Sequence, residues 1–226
     1  MLRRIRGDDP DYYVSFRSDL ENTALESPML FHQKQFITDK SIDHICEMMD
    51  HKTLTEGHVL YRDGEEALEI RDSNVFFLED DIDSGKYDFF INEAIEKLIE
   101  VNNELFQFDI DSYMTMQYST YNQGQYLNWH SDDQFFTKNN TGIELSKSFK
   151  FRKLTTIIGL GNRCDYQGGD FSVIIPNQDL DFIADRFKLD KGEVIIFPSF
   201  ISHKVSPIVE GCRKTMTIWL GGPRWK

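Results

Sequence analysis

An imidazole and a carboxylate stand two residues apart in the run WHSDD (129–133), at His130 and Asp132. On an extended strand residues i and i+2 share a face, so the two side chains can be presented side by side while Asp133 points the other way. A strand-end histidine hydrogen-bonded to a neighbouring acid reads the same, so a third group is needed. His203 lies in FPSFISHKVSP, after the buried-looking run GEVIIFP, where a returning strand can bring it beside the first pair. A single histidine is more often an ordinary half-buried side chain, and the joint pattern is what separates the two readings. Two histidines and one carboxylate on one side of a metal, with the other positions open, are the donor set suited to non-haem Fe(II) and its oxygen chemistry.

Arg213 follows His203 by ten residues, across a turn at 207–211. The strand it opens alternates: Arg213, Thr215, Thr217 and Trp219 face one way, Met216, Ile218 and Leu220 the other. A guanidinium among inward-facing residues is costly to bury unless it meets an anion. Its planar fork suits a carboxylate held by two parallel hydrogen bonds. One of the chain's own acids is a competing partner.

Positioning such groups takes β-structure, and the second half of the chain reads that way. Strand-like runs at 114–121, 152–160, 170–175, 194–197, 202–206 and 213–220 are punctuated by Gly and Pro. Two helices precede them. The first, 39–50, puts Ile42, Ile45, Cys46 and Met49 on one face, with Thr38 or Asp39 as its cap. The second, 88–106, does the same with Ile91, Ala94, Ile95, Leu98, Ile99 and Leu105. A mainly β, α+β architecture is expected: a sandwich or barrel with helices packed outside. The polar run 135–150 reads as a surface loop or lid. Phe135 and Phe136 fit either a substrate groove or the core. His44, Glu47 and His51 on the first helix could suggest a second metal site, but a solvated helix face accounts for them.

Composition bounds the rest. With 226 residues, 40% hydrophobic and 13% aromatic, the chain can build a core as one domain. The excess of 38 acids over 25 bases gives −13, which disfavours nucleic acid as a partner without excluding a local basic groove. Cys46, Cys164 and Cys212 show no CxxC spacing, so neither a disulfide framework nor a thiolate zinc site is indicated. No stretch approaches the ~20 apolar residues of a membrane span, and the start of the chain lacks the apolar run of a signal peptide. A cytoplasmic location is expected.

The stretches QYSTYNQGQYLNWHSD, RKLTTIIGL, DYQGGDFSV and KGEVIIFPSFISHKVSPIVEGCRKTMTIWL, taken in order, resemble the prolyl-4-hydroxylase-like branch of the 2-oxoglutarate/Fe(II) dioxygenases, notably its bacterial and phage PKHD-type hydroxylases. The resemblance spans Gln117 to Trp219. It implies a double-stranded β-helix (jelly-roll, cupin-like) with N-terminal helices packed on it: an extension over 1–110 and a catalytic core over 111–222. It implies His130, Asp132 and His203 as iron ligands and catalytic residues, and Arg213 as the anchor for the far carboxylate of 2-oxoglutarate. Tyr121 and Trp219 match residues of the cosubstrate pocket, and Thr155 a further hydroxyl contact. Gly124, Gly168 and Gly169 match turn positions. The implied cofactors are Fe(II), 2-oxoglutarate and O₂, with ascorbate as an accessory reductant. The implied reaction hydroxylates a peptidyl proline, another protein side chain or a small molecule, releasing succinate and CO₂.

Rivals differ at particular residues. Halogenases of this kind replace the metal carboxylate with a small residue, and Asp132 is present here. AlkB-like nucleic-acid demethylases have a longer His-to-Arg spacing and a second Arg where this chain has Trp219. A jelly roll that binds metal or ligand without catalysis has little use for Arg213.

Overall fold

The structure, a computed structural model of the chain, describes residues 2–3, 12–16, 28–57, 70–78, 85–133, 150–176 and 182–223. The lid proposed at 135–150 falls almost wholly outside them, as do Phe135 and Phe136. In chain order the elements are β1 (Leu2–Arg3), β2 (Tyr12–Phe16), β3 (Pro28–Gln33), α1 (Asp39–Asp50), β4 (Thr55–Glu56), β5 (Arg71–Asp72), β6 (Asn74–Phe77) and α2 (Asp88–Val101). Then come β7 (Ser112–Tyr121), β8 (Tyr126–His130), β9 (Phe151–Gly159), β10 (Tyr166–Gly168), β11 (Phe171–Pro176) and β12 (Phe182–Phe187). The last four are β13 (Val194–Pro198), β14 (His203–Val205), β15 (Ile208–Gly211) and β16 (Arg213–Gly222).

Both helices form where the apolar period places them. Thr38 caps α1 by accepting from Ser41 N, and Ile42, Ile45 and Met49 are its buried face. The second helical run reaches Phe106 as expected, but its last five residues, Asn102–Phe106, widen into a π-turn. Gln107 closes it at φ 54°, and the buried Asn102 side chain donates to Phe108 O and accepts from Phe108 N.

The strands make two facing antiparallel sheets. One runs β1-β2-β3-β13-β9-β16-β7-β6-β4, the other β12-β11-β14-β8-β5, and β10 pairs with β15 in a short ribbon. Such a pair of interleaved sheets is a double-stranded β-helix. Strand alternation divides the core into two layers. Leu154, Ile158, Val194, Ile196, Met216, Ile218 and Leu220 turn outward and meet α1 and α2. Ile157, Ile195, Phe197, Phe171, Val173 and Val205 fill the space between the sheets. The first 110 residues add strands to both sheets, since β3 pairs with β13, β6 with β7 and β5 with β8. Among the described residues no helix is long and apolar enough to cross a membrane.

Candidate functional site

The register of β8 and β14 sets His130 directly opposite His203. Their rings stand 4.1 Å apart between centroids, and Phe197 meets His203 edge-on at 4.8 Å. Each imidazole is tied by Nδ1 to a carbonyl two residues back, His130 to Asn128 O at 2.8 Å and His203 to Ile201 O at 2.9 Å. A carbonyl can only accept, so Nδ1 carries the hydrogen and the Nε2 lone pair faces the site.

Asp132 completes the group, though not from the strand that the H-x-D spacing suggested. β8 ends at His130. Asp132 sits on a bend whose backbone N–H donates to Ser199 O at 2.8 Å. The carboxylate is 8% exposed, with Oδ1 3.6 Å from His130 Nε2 and Oδ2 3.5 Å from His203 Nε2. Potential ligand atoms of the three residues lie within 4.8 Å of one another, the one such group among the described residues. His44, by contrast, stacks on Phe89 at 4.1 Å, and no metal group forms on α1.

Burial pushes His130 down to about 4, reinforced by His203 and opposed by Asp132. Burial alone would raise Asp132. The charges of His203, His130 and Arg152, with a hydrogen bond from Trp219, outweigh it and hold the carboxyl at about 2. Near neutrality His130 is therefore a neutral imidazole and Asp132 a carboxylate, the states in which these groups bind metal.

The remaining expected residues separate into two sets. Arg213, on β16, is opposite Tyr121 of β7, and its guanidinium lies 5.4 Å from the Tyr121 ring centre. It is 2% exposed, with Nη1 3.5 Å from Thr215 Oγ1 and, among the described residues, no hydrogen-bond partner for Nε or Nη2. Gly169, at φ 65°, lets the chain pass this side chain: a Cβ there would meet Ile208 Cδ1 at 2.5 Å and Arg213 Cδ at 3.2 Å. Trp219 lines the same cavity, yet its Nε1 donates to Asp132 Oδ2 at 2.9 Å. Thr155, expected as a contact for the cosubstrate, is fully buried and donates to that same oxygen at 2.8 Å. It also shares a hydrogen bond with Ser199, a residue the sequence reading passed over.

These residues fit the metal and the cosubstrate. Two imidazole nitrogens and one carboxylate converge on one face of a cavity of about 440 Å³, and the Arg213 guanidinium, with Nε and Nη2 unpartnered among the described residues, lines the same cavity. The donor set suits Fe(II), and the fork suits a carboxylate.

Residues 116–221 match the family model described as the 2OG-Fe(II) oxygenase superfamily. Over those residues the chain is similar to that superfamily. A PKHD-type hydroxylase of Idiomarina loihiensis is 28% identical over 101 residues, 44% of this chain and 38% of that relative. The chain thus spans well under half the length of the curated relatives it matches. Among solved structures, a Pseudomonas putida prolyl-4-hydroxylase superposes with a TM-score of 0.62 at 16% identity, covering 86% of this chain and 93% of that one. A Trichoplax adhaerens prolyl hydroxylase, in complex with a hypoxia inducible factor oxygen degradation domain peptide fragment, superposes at 0.60 and 16% identity, over 84% and 82%. At such identities the shared feature is the fold.

Proposed function

We propose that the chain is an Fe(II)- and 2-oxoglutarate-dependent hydroxylase, with iron on His130, Asp132 and His203 and the cosubstrate anchored by Arg213. Arg213 carries the reading. A guanidinium 2% exposed, with two nitrogens lacking partners among the described residues and the three donors in the same cavity, suits an incoming anion.

Iron and 2-oxoglutarate, when bound, supply the oxidation: the cosubstrate is decarboxylated to succinate and CO₂, and one oxygen atom of O₂ enters a C–H bond of the substrate. The protein's part is placement. His130 and His203 present Nε2 from fixed rings. Trp219 and Thr155 engage Asp132 Oδ2 and leave Oδ1 for the metal. Arg213, beside the Tyr121 ring, would hold the far carboxylate, and Ile157, Phe171 and Val205 make that wall of the cavity apolar.

The substrate is a peptidyl proline, another protein side chain or a small molecule. The Trichoplax relative's peptide complex supports the first two. Nucleic acid is disfavoured by the charge of −13. The free thiols of Cys46, Cys164 and Cys212 suit a reducing cytoplasm. Anaerobic Fe(II) titration in the presence of 2-oxoglutarate tests the reading: the visible charge-transfer band of the chelate is expected, lost in Asp132→Ala and weakened in Arg213→Ala. No band at saturating iron and 2-oxoglutarate leaves a non-catalytic jelly-roll module instead.

A further inference from the structure

Ser199 is fully buried just past the end of β13, and it reaches Asp132 by two routes. The register of β13 on β9 sets Phe197 opposite Thr155 and Pro198 opposite Leu154. Residues two apart on a strand share a face, so Ser199 follows Phe197 inward and becomes the diagonal neighbour of Thr155. Its backbone N–H donates to Lys153 O at 3.0 Å, which carries the pairing one residue past the strand, and its carbonyl accepts from Asp132 N at 2.8 Å. Its hydroxyl stands 3.0 Å from Thr155 Oγ1, which stands 2.8 Å from Asp132 Oδ2. A backbone group and a side chain of one residue therefore bear on the same carboxylate.

Counting hydrogens fixes the direction of the side-chain route. A carboxylate only accepts, and a threonine hydroxyl carries one hydrogen. Thr155 gives that hydrogen to Asp132 Oδ2, so the bond between the two hydroxyls runs from Ser199 to Thr155. Every donor then points toward the ligand, since Trp219 Nε1 donates to the same oxygen. Hydrogen bonds in series polarise one another, so a donor behind Thr155 strengthens its grip on the carboxylate. Thr155 and Ser199 are both fully buried, and bulk solvent does not reach the chain to stand in for a missing member. The same turn serves a second ligand. Ile201 N donates to Pro198 O at 2.9 Å, and Ile201 O accepts from His203 Nδ1 at 2.9 Å.

We infer that Ser199 is a positioning residue of the metal site: its hydroxyl acts through Thr155 to orient Asp132, with Oδ1 left for the ion. This rests on the proposed iron site and adds to it a residue behind the cavity wall.

The test is a double-mutant cycle on the full chain, with Fe(II) affinity read by anaerobic titration and the chelate band recorded at saturating 2-oxoglutarate. Ser199→Ala keeps the backbone contact to Asp132 and removes the hydroxyl. It is expected to weaken iron binding about three- to tenfold, less than the ~10–100-fold typical of a bond made to the ligand itself. Its chelate band is expected to shift in the same direction as that of Thr155→Val. In the Thr155→Val protein, adding Ser199→Ala is expected to change the affinity by no more than about twofold and the band not at all, because the route is already cut. Ser199→Cys keeps the side-chain shape with a weaker donor and is expected to fall between wild type and Ser199→Ala. Wild-type affinity and band in both Ser199 variants overturn the inference. So does a loss that persists undiminished in the Thr155→Val protein, which assigns Ser199 to packing or to its backbone contact alone. Either result leaves the iron ligands standing. A wild-type protein that takes up no iron removes the site assignment, and this inference with it.

Discussion

Thr155 and Trp219 face each other across β9 and β16, and both donate to Oδ2 of Asp132, at 2.8 and 2.9 Å. Two donors from one sheet thus fix a carboxylate whose backbone leaves the other sheet at the end of β8. Outer hydrogen bonds of this kind orient a metal ligand and typically change metal affinity by about 10–100-fold when removed. Thr155→Val and Trp219→Phe are each expected to lower iron affinity within that range, read by anaerobic titration. Because both bonds act on one oxygen, the double variant should lose less than the product of the two single effects. Unchanged affinity in both single variants would mean that Asp132 holds its orientation without them.

The ligand assignment makes a sharper demand. His130→Ala and His203→Ala are each expected to abolish stoichiometric iron binding and 2-oxoglutarate turnover, because each leaves only two protein donors. Metal analysis after anaerobic loading and desalting checks this. Full iron content with turnover in the His203 variant rules that residue out as a ligand.

Arg213 predicts opposite effects on two properties. An unpaired buried guanidinium destabilises the fold, so Arg213→Met is expected to raise the melting temperature of the ligand-free protein by a few degrees. The same variant should lose the stabilisation that 2-oxoglutarate confers on the metal-loaded wild type, about 2.7 kcal/mol at a hundredfold excess over Kd. Thermal unfolding with and without cosubstrate gives both numbers. A lowered ligand-free melting temperature would show that the guanidinium is satisfied in solution.

How far the sequence revealed this arrangement depended on the range of the interactions. The alternation of Arg213, Thr215, Thr217 and Trp219 against Met216, Ile218 and Leu220 is local, and it survives intact because β16 is central and covered on both faces. α1 was likewise legible to the residue, since its cap and apolar period lie within one segment. The N-terminal strands β3, β5 and β6 were not legible, being short runs whose partners in the core lie far along the chain. The link from Thr155 to Asp132 was not legible for the same reason: a threonine in RKLTTIIGL carries no sign that its hydroxyl meets an acid 23 residues earlier. Ser199 and the cavity-lining Arg71 and Arg152 were missed because their chemistry exists only across the sheets. The π-turn at the end of the second helix is set by Asn102 reaching Phe108, a side-chain choice that the apolar period does not record.

Acid sensitivity has a site of its own, away from the metal. Glu193 is 4% exposed, and Arg163 Nη2 reaches both its oxygens, at 3.0 and 3.2 Å; His32 Nε2 lies at 3.6 Å and the Asp190 backbone N–H at 3.0 Å. Burial would raise its carboxyl, but the close approach of His32, the hydrogen bond from the Asp190 backbone, and the charges of His32 and Arg163 hold it below the ordinary value. A depressed folded-state pKa contributes stability above the unfolded value, about 4.3 for Glu, and that contribution drains away as pH falls through the folded one. Glu193→Gln is therefore expected to be less stable than wild type near neutrality and to show a shallower loss of stability below about pH 4.3. Denaturant titrations across that range check it, and parallel slopes would exclude this residue as a source of the acid response.

The backbone tethers on the two imidazoles bear on how fast the centre fills. Each ring is locked in rotation and in tautomer before any metal arrives, by a carbonyl in its own strand or loop. Capture then requires no side-chain search and no proton transfer from His130. What remains to limit the rate is the exchange of water from the incoming ion and the path through the cavity mouth, so uptake should be governed by traffic at the entrance rather than by rearrangement at the destination.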